Sequence, residues 1–216
     1  MGDAASKTME DVRREGAVLA VRLKAGEDLI GACRAATRGG VRVLEITLTT
    51  PGALEAIALL SREPGIIAGA GTVLTADDAR AVARAGGRFA LSPVFDPGAM
   101  EEARHLDLLG IPGAGSATEI LAAYRHGAPV VKVFPSAAIG GPAFLRAVRG
   151  PLPQIPLLPT SGPTAETLAA YFEAGAFAVG IGGPEFFPPG WTPVSIEAAA
   201  RRVRQALDAR TSGPLK

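Results

Sequence analysis

The chain has 216 residues, 48% of them hydrophobic, and a formal net charge of +1. That length fits one large domain or two small ones, and the near-neutral balance argues against nucleic acid or an anionic membrane as a partner. The single cysteine, Cys33, excludes an internal disulfide, and with only His105 and His126 beside it a soft-metal site is not expected, nor any cofactor; a reduced, cytoplasmic setting is the natural default.

Residues 1–15 read as a polar leader with charges of both signs and no signal-peptide core, and 7–15 as a short charged helix. No apolar run approaches the ~18 residues of a membrane span. From residue 16 onward one unit repeats. Predicted strands are Ala17–Leu23, Val41–Leu48, Ile66–Val73, Arg88–Pro93, Leu108–Gly113, Val130–Pro135, Ile155–Thr160 and Phe177–Ile181. Between and after them lie predicted helices: Gly26–Arg38, Pro51–Arg62, Ala76–Ala85, Pro97–Leu106, Ala117–His126, Pro142–Arg149, Pro163–Ala174 and Ser195–Ala209. Thr75, Ser116 and Thr164 are placed as helix caps, each followed by early acids. Pro51, Pro97 and Pro142 suit first-turn positions. Gly39-Gly40, Gly86-Gly87, Gly127 and Gly175 suit helix exits. The Pro/Gly-rich stretch 182–193 is an excursion after the last strand.

Eight strands alternating with eight helices predict a single (β/α)8 TIM barrel over residues 16–216, behind the short N-terminal helix. In such a barrel the site lies at the C-terminal ends of the strands. The unusual residues cluster there. Lys132 stands in an apolar strand whose side chains alternate, so it points with Val130 and Phe134. A buried lysine without a partner is costly and responds by losing its proton; the neutral amine is a nucleophile for carbonyl carbon. The alternative is a lysine that snorkels outward or finds a carboxylate. Glu45 is the acid within the inner strand segments and can shuttle protons, or simply pair with Lys132 or Arg22. Arg22 ends the first strand and can clamp a substrate carboxylate, or form a surface salt bridge. Gly162, Gly182 and Gly183 follow the seventh and eighth strands, the usual phosphate position of this fold, or are tight turns without a ligand. Thr72 and Ser161 offer hydroxyls; Pro93 and Phe134 offer apolar walls.

Seven segments in order, Val43–Leu48, Gly69–Leu74, Ser92-Pro93, Ile111–Gly113, Val131–Pro135, Pro159–Gly162 and Ile181–Gly183, resemble the 2-keto-3-deoxy-6-phosphogluconate / 4-hydroxy-2-oxoglutarate aldolases. The resemblance runs from about Gly16 to Ala209. It implies a class I, metal-independent, trimeric barrel enzyme that cleaves a 2-keto-4-hydroxy acid to pyruvate and an aldehyde. It implies Lys132 as the Schiff-base lysine and Glu45 as the acid/base. Thr72 and Pro93 would then border the pyruvyl group, and Gly162, Gly182 and Gly183 the distal group. Three positions depart from the family pattern. Thr49 stands where many members have an Arg for the pyruvate carboxylate, a role that passes to Arg22, as in relatives acting on the galactonate-type substrate. Ser161 replaces a second Gly, and Pro184 replaces a Ser and has no N–H to donate. An unphosphorylated substrate stays open, as do a 2-keto-3-deoxy-6-phosphogalactonate aldolase, a sugar-phosphate isomerase or epimerase, and a degenerate barrel that binds a keto acid without turnover.

Overall fold

The computed structural model describes residues 1–211; residues 212–216, which the sequence reading placed in the domain, lie outside the described residues. The elements run α1 (Asp3–Glu15), β1 (Ala17–Val21), α2 (Leu29–Arg38), β2 (Val43–Thr47), α3 (Ala53–Leu60), β3 (Ile67–Gly71), α4 (Ala76–Arg84), β4 (Phe89–Leu91), α5 (Pro97–His105), β5 (Leu109–Ile111), β6 (Gly113–Ala114), α6 (Ala117–Arg125), β7 (Val131–Val133), α7 (Gly141–Arg149), β8 (Leu157–Pro159), α8 (Leu168–Glu173), β9 (Val179–Gly182) and α9 (Pro193–Thr211). Short 3-10 turns cover Ala137–Ile139 and Gly183–Glu185.

The strands are all parallel and form two sheets, one in the order β5-β4-β3-β2-β1-β9 and one in the order β6-β7-β8. This is an α/β fold of barrel type, but its hydrogen bonding is not one unbroken ring. The break inside the fifth predicted strand has a local cause. Pro112 has no N–H, so the strand splits into β5, which pairs with β4, and β6, which pairs with β7. Between β8 and β9 the link is a Thr160–Gly180 bridge and the Phe177 N–H donating to the Leu157 carbonyl at 2.8 Å.

Strand alternation sorts the apolar residues into two cores. Val18, Val43, Ile67, Phe89, Leu109, Val130, Leu158 and Ala178 form one cluster on the inner face of the two sheets. Their neighbours Leu19, Leu44, Ala68, Ala90, Val131, Leu157 and Val179 face the helices in the other. Ala5, Met9 and Val12 of α1 join the inner cluster and cover the N-terminal end of the strands. The helix is longer than the predicted 7–15 because the Asp107 carboxylate accepts the Ala4 and Ala5 N–H groups at 3.0 and 3.2 Å, satisfying its first turn. Buried Asp11 pairs with Arg88 at 2.7 Å and holds α1 in place.

Several helix signals act as read. Thr75 forms a full capping box with Asp78, and Ser116 accepts from the Glu119 N–H. Gly40, Gly86, Gly127 and Gly175 leave their helices with φ of 97°, 78°, 90° and 88°. Two expectations are corrected. Thr164 does not cap the eighth-strand helix: its N–H donates to the Thr167 hydroxyl at 2.9 Å, and α8 begins only at Leu168. Pro51 is not in a first helical turn, because Gly52 follows in the left-handed region at φ 76° and α3 starts after it.

Candidate active site

Lys132 lies in the middle of β7, opposite Gly113 on one side and Leu158 on the other. Its N–H donates to the Pro112 carbonyl at 2.8 Å, so the prolyl residue that breaks the fifth strand also fixes the lysine backbone. The side chain is 6% exposed, and Nζ sits 3.5 Å from Glu45 Oε1 and 5.4 Å from the centre of the Phe134 ring. It does not snorkel. Glu45, on β2, is 2% exposed. Its second oxygen, Oε2, is buried with no hydrogen-bond partner among the described residues. An orphaned carboxylate oxygen beside a buried ammonium is costly and calls for a ligand or a shared proton.

Glycine makes room for this carboxylate. A Cβ on Gly71 of β3 would overlap Glu45 Oε1, so only a residue without a side chain lets Glu45 lie across the inner face of that strand. A Cβ on Gly113 would strike the Pro93 backbone in the same way. Thr72 follows at φ 61°, a left-handed position that costs a non-glycine residue ~1–3 kcal/mol and is held by its surroundings. Thr72, Pro93 and Phe134 are half-buried around the same mouth.

Arg22 is exposed at the end of β1 and makes no ion pair with Glu45, nor any other described side-chain bond. Its flanks are pinned by a residue that sequence reading missed. Thr50 is buried; its hydroxyl accepts the Leu23 N–H at 3.2 Å and lies 3.1 Å from the Thr47 hydroxyl. Thr47 in turn reaches the exposed Thr49 at 3.3 Å. The three closely spaced threonines were the available signal.

At the β8 and β9 ends, Ser161 is exposed at φ 64°, and Gly182 and Gly183 have φ of 145° and 67°. The Gly162 N–H has no protein acceptor among the described residues, whereas Gly183 continues the β1–β9 ladder past the Ala20–Gly182 pair. A Cβ on Gly162 would collide with the Tyr171 hydroxyl, which packs beneath the turn with buried Ser136. Nothing in the sequence marked Tyr171. Glu185 was also missed: it links the two turns by accepting the Ala165 N–H at 3.1 Å. The excursion 182–193 packs back over the β1 side, where the Trp191 indole N–H donates to Glu27 at 3.1 Å. The described residues contain no group of three or more His, Cys, Asp or Glu able to hold a metal.

Residues 9–193 match the family model for KDPG and KHG aldolase. A 2-dehydro-3-deoxy-phosphogluconate aldolase from Pseudomonas aeruginosa is 38% identical over 183 residues, spanning 84% of this chain and 83% of that protein. A solved structure described as native KDPGal superposes with a TM-score of 0.84 at 26% identity, over 91% of this chain and 96% of the other. A KDPG aldolase from Legionella pneumophila, solved with pyruvate captured as a covalent carbinolamine intermediate, superposes with a TM-score of 0.78 at 28% identity, over 96% and 98% of the two chains. The chain belongs to the KDPG and KHG aldolase family.

Proposed function

We propose that this protein is a class I aldolase that cleaves a 2-keto-4-hydroxy acid to pyruvate and an aldehyde through a Schiff base on Lys132. The observation that carries this reading is the buried Lys132–Glu45 pair, 3.5 Å apart, with Glu45 Oε2 unpartnered. In its unprotonated form the Lys132 amine adds to the C2 ketone. Glu45 moves the protons that carbinolamine formation and loss of water require. The resulting iminium draws the C3–C4 electron pair into an enamine as the C4 hydroxyl proton leaves. Protonation at C3 and hydrolysis then release pyruvate and restore the amine.

Arg22 receives the pyruvyl carboxylate, a role supported by its exposed, unpaired guanidinium beside a pinned backbone. Thr72, Pro93 and Phe134 border the pyruvyl group, and Ser161, Gly162, Gly182 and Gly183 the distal group. Candidate substrates are 2-keto-3-deoxy-6-phosphogluconate, its galactonate epimer and 4-hydroxy-2-oxoglutarate, or an unphosphorylated relative of them. The strands are read as one closed (β/α)8 barrel, supported by the inner core that both sheets share and by the two short links across the β8–β9 seam. Residues 16 onward form the catalytic domain and α1 its cover. A homotrimer accords with the exposed Leu74 and Val94, which follow the neighbouring strands β3 and β4. The single cysteine supports a cytoplasmic setting.

The test is reduction with borohydride in the presence of pyruvate. A stable added mass on Lys132, absent in Lys132→Ala, is expected; a folded protein that gives no adduct while retaining cleavage activity overturns the mechanism. Size-exclusion chromatography with light scattering tests the trimer.

A further inference from the structure

The two turns after β8 and β9 stand where this type of fold commonly binds a phosphate, but most of their donors are spent. Pro163 and Pro184 carry no N–H. The Thr164 N–H is taken by the Thr167 hydroxyl at 2.9 Å. The Ala165 N–H is taken by Glu185 Oε1 at 3.1 Å. What the two turns still present is the Gly162 N–H, which has no protein acceptor among the described residues; Gly183 follows directly on the Ala20–Gly182 pair of the β1–β9 ladder.

Glu185 therefore bridges the same two loops that a phosphate would bridge. It lies two residues beyond Gly183 and binds a donor three residues beyond Gly162. It does so as an acid, with its other oxygen, Oε2, buried and without a partner. Glu166, exposed, adds a second acid on the β8 loop; burial, with the Glu166 charge, pushes the Glu185 carboxyl up against the Ala165 N–H bond and the charge of Arg202 on α9. A dianion seated at the Gly162 turn would find one open backbone donor and two carboxylates on the same pair of loops, Glu185 on Ala165 and Glu166 on Thr164.

We infer that Glu185 is a specificity-determining residue that turns the distal end of the site away from a phosphate and toward an uncharged, hydroxyl-bearing tail. This rests on the aldolase reading given above.

The experiment compares 2-keto-3-deoxygluconate with its 6-phosphate, two substrates that differ only in the distal group. The wild-type protein is expected to have the higher kcat/KM on the unphosphorylated acid. In Glu185→Gln, which keeps the acceptor for the Ala165 N–H and removes the charge, the ratio of phosphorylated to unphosphorylated kcat/KM is expected to rise about tenfold. A wild type that prefers the 6-phosphate, or a ratio that does not move in a folded Glu185→Gln, overturns the inference. Borohydride trapping of pyruvate on Lys132 is run on both proteins. Trapping without a change in the ratio condemns the role of Glu185 alone, whereas loss of trapping in the wild type condemns the aldolase reading itself.

Discussion

Gly71→Ala offers a sharp test of the Glu45 carboxylate because it leaves both proposed catalytic side chains in place. Gly71 does not use the left-handed region, so alanine fits its backbone and the added methyl is the whole perturbation. A Cβ there would lie 2.6 Å from Glu45 Cγ and Cδ and overlap Oε1. Carbon atoms settle at about 3.5–4 Å, so the carboxylate must withdraw by roughly 1 Å. From a starting separation of 3.5 Å to Lys132, that withdrawal weakens the pair from ~5 to ~4 kcal/mol at an effective dielectric of 20. Off-rotamer strain adds ~0.5–1.5 kcal/mol. The fold should survive, with Tm lowered by about 2–4 °C per kcal/mol. Catalysis should suffer more, since a 1 Å misplacement costs ~10²-fold, about 2.7 kcal/mol of barrier. Pyruvate release, coupled to lactate dehydrogenase, is expected to show kcat down ~10²-fold. In a Glu45→Gln background, itself slowed by ~10²-fold, the further effect of Gly71→Ala should shrink, because both changes act on one group. A Gly71→Ala protein with wild-type kcat would refute the assignment of proton transfer to Glu45.

Arg22→Ala is expected to raise KM by ~10–10²-fold with a smaller change in kcat, as loss of a charge-assisted bond worth ~1.5–3 kcal/mol requires; an unchanged KM moves the carboxylate role elsewhere. Asp11 tests the cover helix: burial pushes its carboxyl up, but hydrogen bonds from Arg88 and Arg14 and the nearby charges outweigh burial and hold it below the usual range. A depressed folded value contributes stability above the unfolded value of ~3.9, and that stability is lost as pH falls through the lower folded value. Asp11→Asn should therefore lose ~1–3 kcal/mol in urea unfolding at neutral pH, with the gap to wild type closing in acid; an equal gap at both pH values contradicts the pairing. Burial, with the charges of Asp28 and Glu63, pushes the Cys33 thiol up to about 12, so Ellman's reagent should label it only on unfolding; rapid labelling of the native protein would show that α2 opens.

How much could be read from the chain depends on the range of the interaction. The strand–helix alternation, the capping at Thr75 and Ser116 and the glycine exits are encoded within a few residues, and the periodicity of side chains reports them directly. Lys132 and Glu45 were legible for the same reason: a charge in an apolar strand breaks a local pattern, and strand parity says which face it takes. Their meeting at 3.5 Å across 87 residues is another matter. It depends on the curvature of the sheets and on the empty space above Gly71, and neither is a local property. The same holds at the seams. Pro112 was visible, but that it would split one strand between two sheets followed only from which neighbour each half pairs with. Thr164 had the right residue type for a cap, but its N–H is held by the Thr167 hydroxyl and α8 begins only at Leu168, with no side-chain cap. Arg22 looked equally able to pair with Glu45 or to stay free; the packing of Thr50 against the end of β1 and the reach of Glu45 toward Lys132 leave it free. Glu185 lay in a loop without periodicity, and its link to Ala165 joins two turns that only the folded ring brings together. Sequence alone determined most of the elements, their order and the two charged strand residues Lys132 and Glu45 as candidates. Tertiary structure decided which donors remain open at the mouth, because that depends on loops from neighbouring strands meeting rather than on any segment by itself.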